Sequence, residues 1–237
     1  MKTILEIISY SFFAGITVFI GGILSRILEK FKNHKTHKLI THFAIAFGGG
    51  ILIAAVGFVL IPKGIEELTL LPLILCFVGG VLFFSFIDSK IKQKGGSFAQ
   101  MMAMLMDFVP EAIALGGVFA HNLKLGLLLA IYIGLQNLPE SFNSYIELKH
   151  YNHSTKASLY ILFFLSFSGI IAALTGYFLL MNKPDIIAGL MVFSGGGIVF
   201  LMFQDIAPLA KIKNTLLPAM GASLGFLVGI IGEKLLG

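Results

Sequence analysis

Long apolar stretches dominate this chain of 237 residues and leave it few environments in which to fold. A helix needs about 20 mostly apolar residues to cross a bilayer. With 57% hydrophobic and only 12% charged residues, the chain has too little polar surface to cover a soluble globule. We therefore predict an all-α membrane protein in a lipid bilayer with eight transmembrane helices: 4–28, 39–61, 68–87, 99–120, 124–147, 158–181, 186–210 and 215–235.

Eight spans use nearly the whole length, so residues 1–237 are expected to form a single polytopic transmembrane domain. The apolar run near the N-terminus continues to Arg26 without a small-residue cleavage site, which favours a first helix over a signal peptide. Cys76 is the one cysteine and lies inside an apolar run, so a disulfide framework and a CxxC metal site are both excluded.

The basic residues predict the orientation of the chain, because Lys and Arg accumulate in cytoplasmic loops. Twelve of the 17 fall after the first, third, fifth and seventh spans, and five fall on the other side. Both termini should therefore face away from the cytoplasm. The net charge of +5 is explained by topology and does not call for a nucleic-acid partner.

One internal repeat carries the chemistry of the chain. Asp107 to Glu111 in the fourth span and Gln136 to Glu140 in the fifth share the pattern polar-x-x-Pro-Glu, 29 residues apart. Residues four apart lie on one face of a helix, so each motif presents its two polar side chains together. Internal repeats in membrane proteins often indicate a transporter with its site at the repeat interface.

The two motifs predict a cation site. On antiparallel helices Asp107 should lie level with Glu140, and Glu111 with Gln136, which groups four oxygen-bearing side chains in a cage. A carboxylate at mid-bilayer costs at least about 2.5 kcal/mol, so such acids need a partner, a proton or a metal. Pro110 and Pro139 each remove a helix hydrogen bond and so free a carbonyl near the same level.

A second, weaker repeat joins the second and seventh spans. Gly48 to Gly50 and Gly195 to Gly197 are each followed by Ile and, near the helix end, by Pro62 or Pro208. Small residues let membrane helices pack closely, and glycine triplets recur by chance in such helices. We interpret this repeat as structural.

A lone buried acid can be a protonated, hydrogen-bonded structural residue, and buried acids can also form a proton path. Neither acid-bearing motif is alone here. The sequence has no Lys or Arg deep enough in a span to pair with Asp107, Glu111 or Glu140, which removes structural salt bridges from the alternatives. Protonated carboxyls and a proton path remain alternatives to the cation site.

These residues resemble the ZIP (Zrt-/Irt-like) family of metal transporters, whose fourth and fifth helices carry polar-polar-x-Pro-Glu motifs. The softer similarities are the glycine-rich second span ending in Leu60-Ile61-Pro62 and the Ser168-Gly169 pair in the sixth. The resemblance implies a 3+2+3 helix arrangement with inverted repeats, metal bound between the fourth and fifth helices, and uptake toward the cytoplasm, often by a homodimer. It also implies a multi-pass protein of the bacterial plasma membrane.

Several positions depart from the family pattern. Asp107 stands where the family usually has histidine, and Phe108 and Asn137 stand where a second metal would find asparagine and aspartate. Ala172 appears where the family has a glutamate in the sixth helix. The second metal position is therefore expected to be lost, with Asn137 left as a weak ligand or outer hydrogen-bond donor. By resemblance Gln204 and Asp205, in place of His-Glu, lie on the exit path.

The ligand set bears on which metal is bound. Asp107, Glu111, Gln136 and Glu140 offer only oxygen, which suits manganese, magnesium or iron(II), although zinc also accepts carboxylates. The resemblance favours zinc or iron, so zinc, iron(II) and manganese all remain candidates. No cofactor is expected beyond the transported metal. The six histidines lie elsewhere, in loops where solvation explains them.

Other classes of function make different demands on the sequence. An intramembrane metalloprotease would need a motif such as HExxH, which the chain lacks, and no enzymatic activity is predicted. A proton-coupled carrier of another solute would also use buried acids, but a buried cation or an aromatic cage would then be expected. A membrane protein that binds or senses metal without transporting it is the remaining alternative.

Overall fold

A computed structural model describes residues 2–29, 34–96 and 98–236, and this part of the chain is helical, with no strand. Eight helices follow one another in these ranges, three of them made of consecutive segments. They are α1 (Lys2–Glu29), α2 (His34–Ala55, Val56–Leu60, Ile61–Glu67), α3 (Leu70–Lys94), α4 (Ala99–Phe119), α5 (Leu123–His150), α6 (Thr155–Leu165, Ser168–Leu180), α7 (Pro184–Leu201, Met202–Ile206, Ala207–Ala210) and α8 (Leu217–Leu236).

Seven of these helices are long and apolar enough to cross a membrane, which supports an integral multi-pass membrane protein. The exception among the described residues is α5, the helix that carries Gln136, Asn137 and Glu140. Its polar side chains lower its hydropathy, yet most of its length is buried against α1, α2, α4 and α8. Other helices thus shield α5 from lipid, so it has less need of an apolar surface.

Most helix ends lie within three residues of the boundaries predicted from the sequence, but α2 begins five residues earlier and ends six later, and α3 ends seven later. Two further differences lie inside the helices. The first is a break in α6 at Ser166 and Phe167, where the Ser168 hydroxyl donates a hydrogen bond to the Leu165 carbonyl. The second is a π-helical turn in both α2 and α7, which apolar patterning cannot predict. Residues 30–33, part of the basic segment used to orient the chain, lie outside the described residues.

The two π turns give the weaker repeat a shared backbone structure. In α2 the turn spans Val56–Leu60 and ends two residues before Pro62, while in α7 it spans Met202–Ile206 and ends two residues before Pro208. Proline cannot donate the helix hydrogen bond, and its ring crowds the preceding turn. A local change of hydrogen-bond spacing accommodates both effects, and such π turns are frequent at functional sites.

The glycine triplets lie at close helix crossings, which confirms their structural interpretation. A side chain at Gly50 would collide with the backbone of α8 at Ala222, and one at Gly196 would collide with the backbone of α3 at Phe77. Small residues at these positions allow the paired helices to approach each other closely.

The helix packing repeats between the two ends of the chain. α1 packs on α5 as α6 packs on α4, and α2 packs on α8 as α7 packs on α3. α2 also contacts α5 as α7 contacts α4, and α4 contacts α5 directly. These contacts stay the same when α1, α2 and α3 are exchanged with α6, α7 and α8, in that order, and α4 is exchanged with α5. The antiparallel pair α4 and α5 therefore lies at the centre of the packing.

Candidate metal site on α4 and α5

All four side chains of the predicted cage are buried in the α4–α5 pair. Asp107 is 3% exposed and Glu140 9%, while Glu111 and Gln136 are fully buried. Pro110 and Pro139 lie inside their helices, one residue before each glutamate. The prolines therefore interrupt the hydrogen-bond ladder at the level where the acids sit.

Glu111 and Gln136 form one level of the site. The Gln136 amide Nε2 donates a hydrogen bond to Glu111 Oε2 at 2.5 Å, across the interface between α4 and α5. The register predicted from antiparallel helices is thereby confirmed for this pair. A carboxylate and an amide at one level supply several oxygen lone pairs but only one formal charge.

Asp107 and Glu140 form the second level. Their carboxyl groups lie within hydrogen-bonding reach of each other, as the predicted register requires. Asp107 Oδ1 also accepts a hydrogen bond at 2.8 Å from the backbone N–H of Phe108. Two carboxyl groups meet here without an amide between them, so this level has the higher density of negative charge or of shared protons.

Four buried side-chain oxygen atoms of α4 and α5 have no hydrogen-bond partner among the described residues. They are Glu111 Oε1, Gln136 Oε1, Asn137 Oδ1 and Glu140 Oε2. Each is an acceptor, so the group that would satisfy it must be a cation, a proton or a water molecule. The Asn137 side chain contacts α1, where its amide nitrogen donates at 3.2 Å to the Ala14 carbonyl.

No described basic side chain reaches the acids of either level. The ion pairs of the described residues involve Arg26, Lys63 and Lys92, each with an acid outside the α4–α5 pair. Asp107, Glu111 and Glu140 therefore have no salt bridge among the described residues. Burial without a basic partner leaves a bound cation or protonation as the ways to stabilise them.

The arrangement is two pairs stacked along the helices, which differs from the single cage expected from the sequence. Among the described residues, no group of three or more His, Cys, Asp or Glu side chains is placed to hold a metal ion. Glu111 is hydrogen-bonded to Gln136 and does not join the Asp107–Glu140 pair in a common coordination sphere. Coordination by all four side chains stays a prediction, and it requires side-chain movement.

A narrow cavity adjoins one of the two levels. Its volume is about 40 Å³, and its lining includes Asp107, Glu140, Gln100, Asn143 and Asp205. This volume holds one or two water molecules or a partly dehydrated ion. Neither Glu111 nor Gln136 lines it, so the Asp107–Glu140 level is the one open to this cavity.

The narrow cavity adjoins a wider cleft of about 450 Å³ where α3 and α7 end and α4 begins. Gln100 and Asp205 line both spaces, and Gln204 lines only the cleft. Gln204 and Asp205 thus line the cleft, and their place on an exit path stays a prediction. The Asp205 side chain is 22% exposed and pairs with Lys92. The cleft opens on the side of the helices where α3 and α7 end. Twelve of the 17 basic residues are predicted to lie on that side.

The sequence interpretation missed Lys92 and Asp88. The third span was ended at residue 87, which assigned both side chains to a loop. The structure continues α3 to Lys94 and buries Asp88 within it. The four-residue spacing of an acid and a lysine was the available signal, since such pairs meet on a helix face.

The positions linked to a second metal are apolar or engaged. Phe108 is 1% exposed, and its ring touches the backbone of α6 at Gly169. Ala172 is also buried and carries no ligand atom. The Phe108 ring fills the space beside α6 with carbon, so it offers no ligand for another ion.

The described contacts of the histidines lie away from both the Asp107–Glu140 level and the Glu111–Gln136 level. The His42 ring contacts the Ala210 carbonyl and the His121 ring the Met181 carbonyl. His153 stacks edge-on against Phe98. Oxygen is therefore the only ligand atom that the side chains of the two levels provide.

We found no match between this chain and the models of known protein families, nor with curated proteins. The resemblance to metal transporters therefore depends on the motifs themselves.

Proposed function

We propose that this protein transports a divalent metal cation across the membrane toward the cytoplasm, through the carboxylate site on α4 and α5. The observation that carries the proposal is the group of unpartnered, buried oxygen atoms on Glu111, Gln136, Asn137 and Glu140, reached by no described basic side chain. A purely structural role would leave fewer acceptors unsatisfied.

The geometry supports a sequence of events at the two levels. A cation arriving from the side of the termini meets the Glu111–Gln136 level first and binds oxygen after the amide turns away from the carboxylate. It then moves one helical turn to Asp107 and Glu140, where two carboxyl groups replace more of its hydration shell. From there the narrow cavity leads past Gln100 to Asp205 and the cleft.

Alternating access between the two sides fits the packing of the helices. We propose a 3+2+3 arrangement in a single transport domain covering residues 1–237, with the first three and last three helices as inverted repeats. The matched contacts and the matched π turns of α2 and α7 support this arrangement. In such transporters one repeat moves against the other around a central site.

The ligand chemistry supports zinc, iron(II) or manganese as the transported ion. Carboxylate and amide oxygens favour the harder ions of this group, and no described histidine or cysteine joins the two levels. Similarity to the ZIP family supports the same class of cargo. It also supports a homodimer, multi-pass insertion in a bacterial plasma membrane and termini outside the cytoplasm.

Uptake of radioactive manganese, iron(II) or zinc into proteoliposomes tests the proposal. The parent protein should accumulate at least one of these ions faster than protein-free liposomes do, and an Asp107→Ala variant should not. Binding without accumulation would favour a metal-sensing membrane protein. Accumulation of an organic solute that metals do not inhibit would favour a proton-coupled carrier.

The proposed direction of transport has its own test. Single cysteines placed near residue 3 and at Lys38, in a Cys76→Ala background, should react with an impermeant thiol reagent from opposite sides of the membrane. Reaction of both positions from one side would overturn the orientation based on basic residues.

A further inference from the structure

Lys92 makes the only ion pair between two helices in the part of the chain that the structure describes. Its Nζ donates at 2.8 Å to Asp88 Oδ2, one turn earlier on α3, and at 2.5 Å to Asp205 Oδ1 on α7. The remaining ion pairs of the described residues connect neighbours on a single helix. The ion pair between Lys92 and Asp205 therefore links α3 to α7.

This tie lies at the mouth of the proposed pathway. Asp205 lines both the narrow cavity that contains Asp107 and Glu140 and the wider cleft that contains Lys92. The Lys92 side chain is 45% exposed, which places its ammonium group at the border between cleft and solvent. A cation leaving through the cleft must pass the carboxylate that Lys92 occupies.

The backbone at this point is suited to movement. Asp205 lies within the π turn Met202–Ile206, and Pro208 follows it. Both features remove regular helix hydrogen bonds, so the end of α7 is held less firmly by its own backbone. Contacts with neighbouring elements, including the tie to α3, must then help to fix its position.

We propose that Lys92 is a latch that closes the mouth of the pathway by holding Asp205. When a dication reaches Asp205, it repels the ammonium group and displaces it from that carboxylate. Lys92 keeps its second partner, Asp88, which is only 5% exposed and remains on the same helix. The lysine therefore has an acidic partner in both states, and only its ion pair with Asp205, which joins α3 to α7, is broken.

The latch depends on the proposed function for the identity of the ion that opens it. Its closure can be measured without any ion. A cysteine at Ala103, which lines both the narrow cavity and the cleft, reports on access to the pathway. The background variant is Cys76→Ala, which removes the native thiol.

The experiment measures the labelling rate of the Ala103→Cys thiol by a charged methanethiosulfonate reagent, in detergent and in metal-free buffer. Lys92→Met should raise the rate about fivefold, as expected for the loss of one partly exposed ion pair. Lys92→Arg keeps the charge and should label close to the parent rate. Lys90→Met is the matched control, because Lys90 is on the same helix and contacts the Phe86 ring instead of an acid.

The outcomes separate the latch from the transport proposal. Unchanged labelling in Lys92→Met would overturn the latch, as would an equal increase in Lys90→Met. Because labelling needs no metal, an increase specific to Lys92→Met supports the latch even where manganese uptake by the parent protein is absent. The absence of uptake would count against the transport proposal alone.

Discussion

The two Pro-Glu motifs occupy equivalent places on α4 and α5, yet they differ in their first residue. The α4 motif begins with Asp107 and the α5 motif with Gln136. Because the helices are antiparallel, each first residue faces the glutamate of the other motif. This difference at the first position creates one level with two carboxyl groups and another with one carboxyl group and an amide.

This asymmetry separates the chemistry of the two levels. The Asp107–Glu140 level has the higher formal charge and opens to the cavity, whereas the Glu111–Gln136 level is closed by its own hydrogen bond. A dication is held best where two carboxylates meet. A symmetric repeat would bind equally at both levels, so under the proposed function the presence of Asp107 opposite Glu140, and of Gln136 opposite Glu111, should give the cation a preferred resting position.

Alanine in place of Asp107 or Glu140 should have the largest effect. Each change removes a carboxylate from the resting position of the cation, so high-affinity uptake should fall by at least about 100-fold, more than the loss of an outer-shell partner causes. The measurement is the initial rate of manganese uptake by proteoliposomes that contain equal amounts of folded protein.

An Asp107→Ala variant that transports like the parent protein would remove Asp107 from the ligand set. It would also count against the proposed difference between the two levels, which depends on Asp107 standing where the other motif has Gln136.

Histidine at position 107 should change which metal is preferred. Imidazole keeps a lone pair at the site and is a softer ligand than carboxylate, so zinc should gain over manganese by about tenfold. Zinc and manganese uptake are measured side by side in the parent and in Asp107→His. An unchanged ratio would show that the cation does not contact this side chain.

Uptake should fall as the pH is lowered. Protons compete with the cation for the Asp107 and Glu140 carboxylates, so each bound cation must displace the protons held there. Where one proton is displaced, the apparent affinity should fall by up to about tenfold for each pH unit. Initial rates at sub-saturating manganese, measured with equal pH on both sides, check this sign. Uptake that rises with acidity under these conditions would contradict competition between protons and the cation at these carboxylates.

Gln136→Ala should have the smallest effect of the set. It removes the amide that donates to Glu111 but leaves both carboxylates of the other level in place. One lost ligand or hydrogen bond at the more weakly charged level should slow uptake by about fivefold. A loss as complete as that of Asp107→Ala would place the resting cation at the Glu111–Gln136 level.

Much of the site was predictable, because the sequence gives the four-residue spacing within each motif and antiparallel packing sets which residues lie level. Residues four apart share a face, so on antiparallel helices Glu111 was expected level with Gln136, and the hydrogen bond between them shows that it is. The two levels were also expected from the sequence, but their separation was not, because helix spacing does not show that Gln136 donates to Glu111 and so keeps it from joining Asp107 and Glu140.

The structure around Asp205 was harder to predict. A π turn changes hydrogen-bond spacing without changing the apolar pattern, so Met202–Ile206 looked like ordinary helix. Lys92 was assigned to a loop because the hydropathy of the sequence falls several residues before α3 ends at Lys94. Its partner Asp205 lies far along the chain, and only the packing of α3 against α7 brings them together.

The most direct test of the cation site is to locate the ion itself. Anomalous scattering from crystals grown or soaked with manganese should show one peak per chain between α4 and α5, at coordination distance from the carboxylates of Asp107 and Glu140. The same peak should disappear in Asp107→Ala. The absence of a peak between these helices, or a peak bound only by loop residues, would contradict the proposed site.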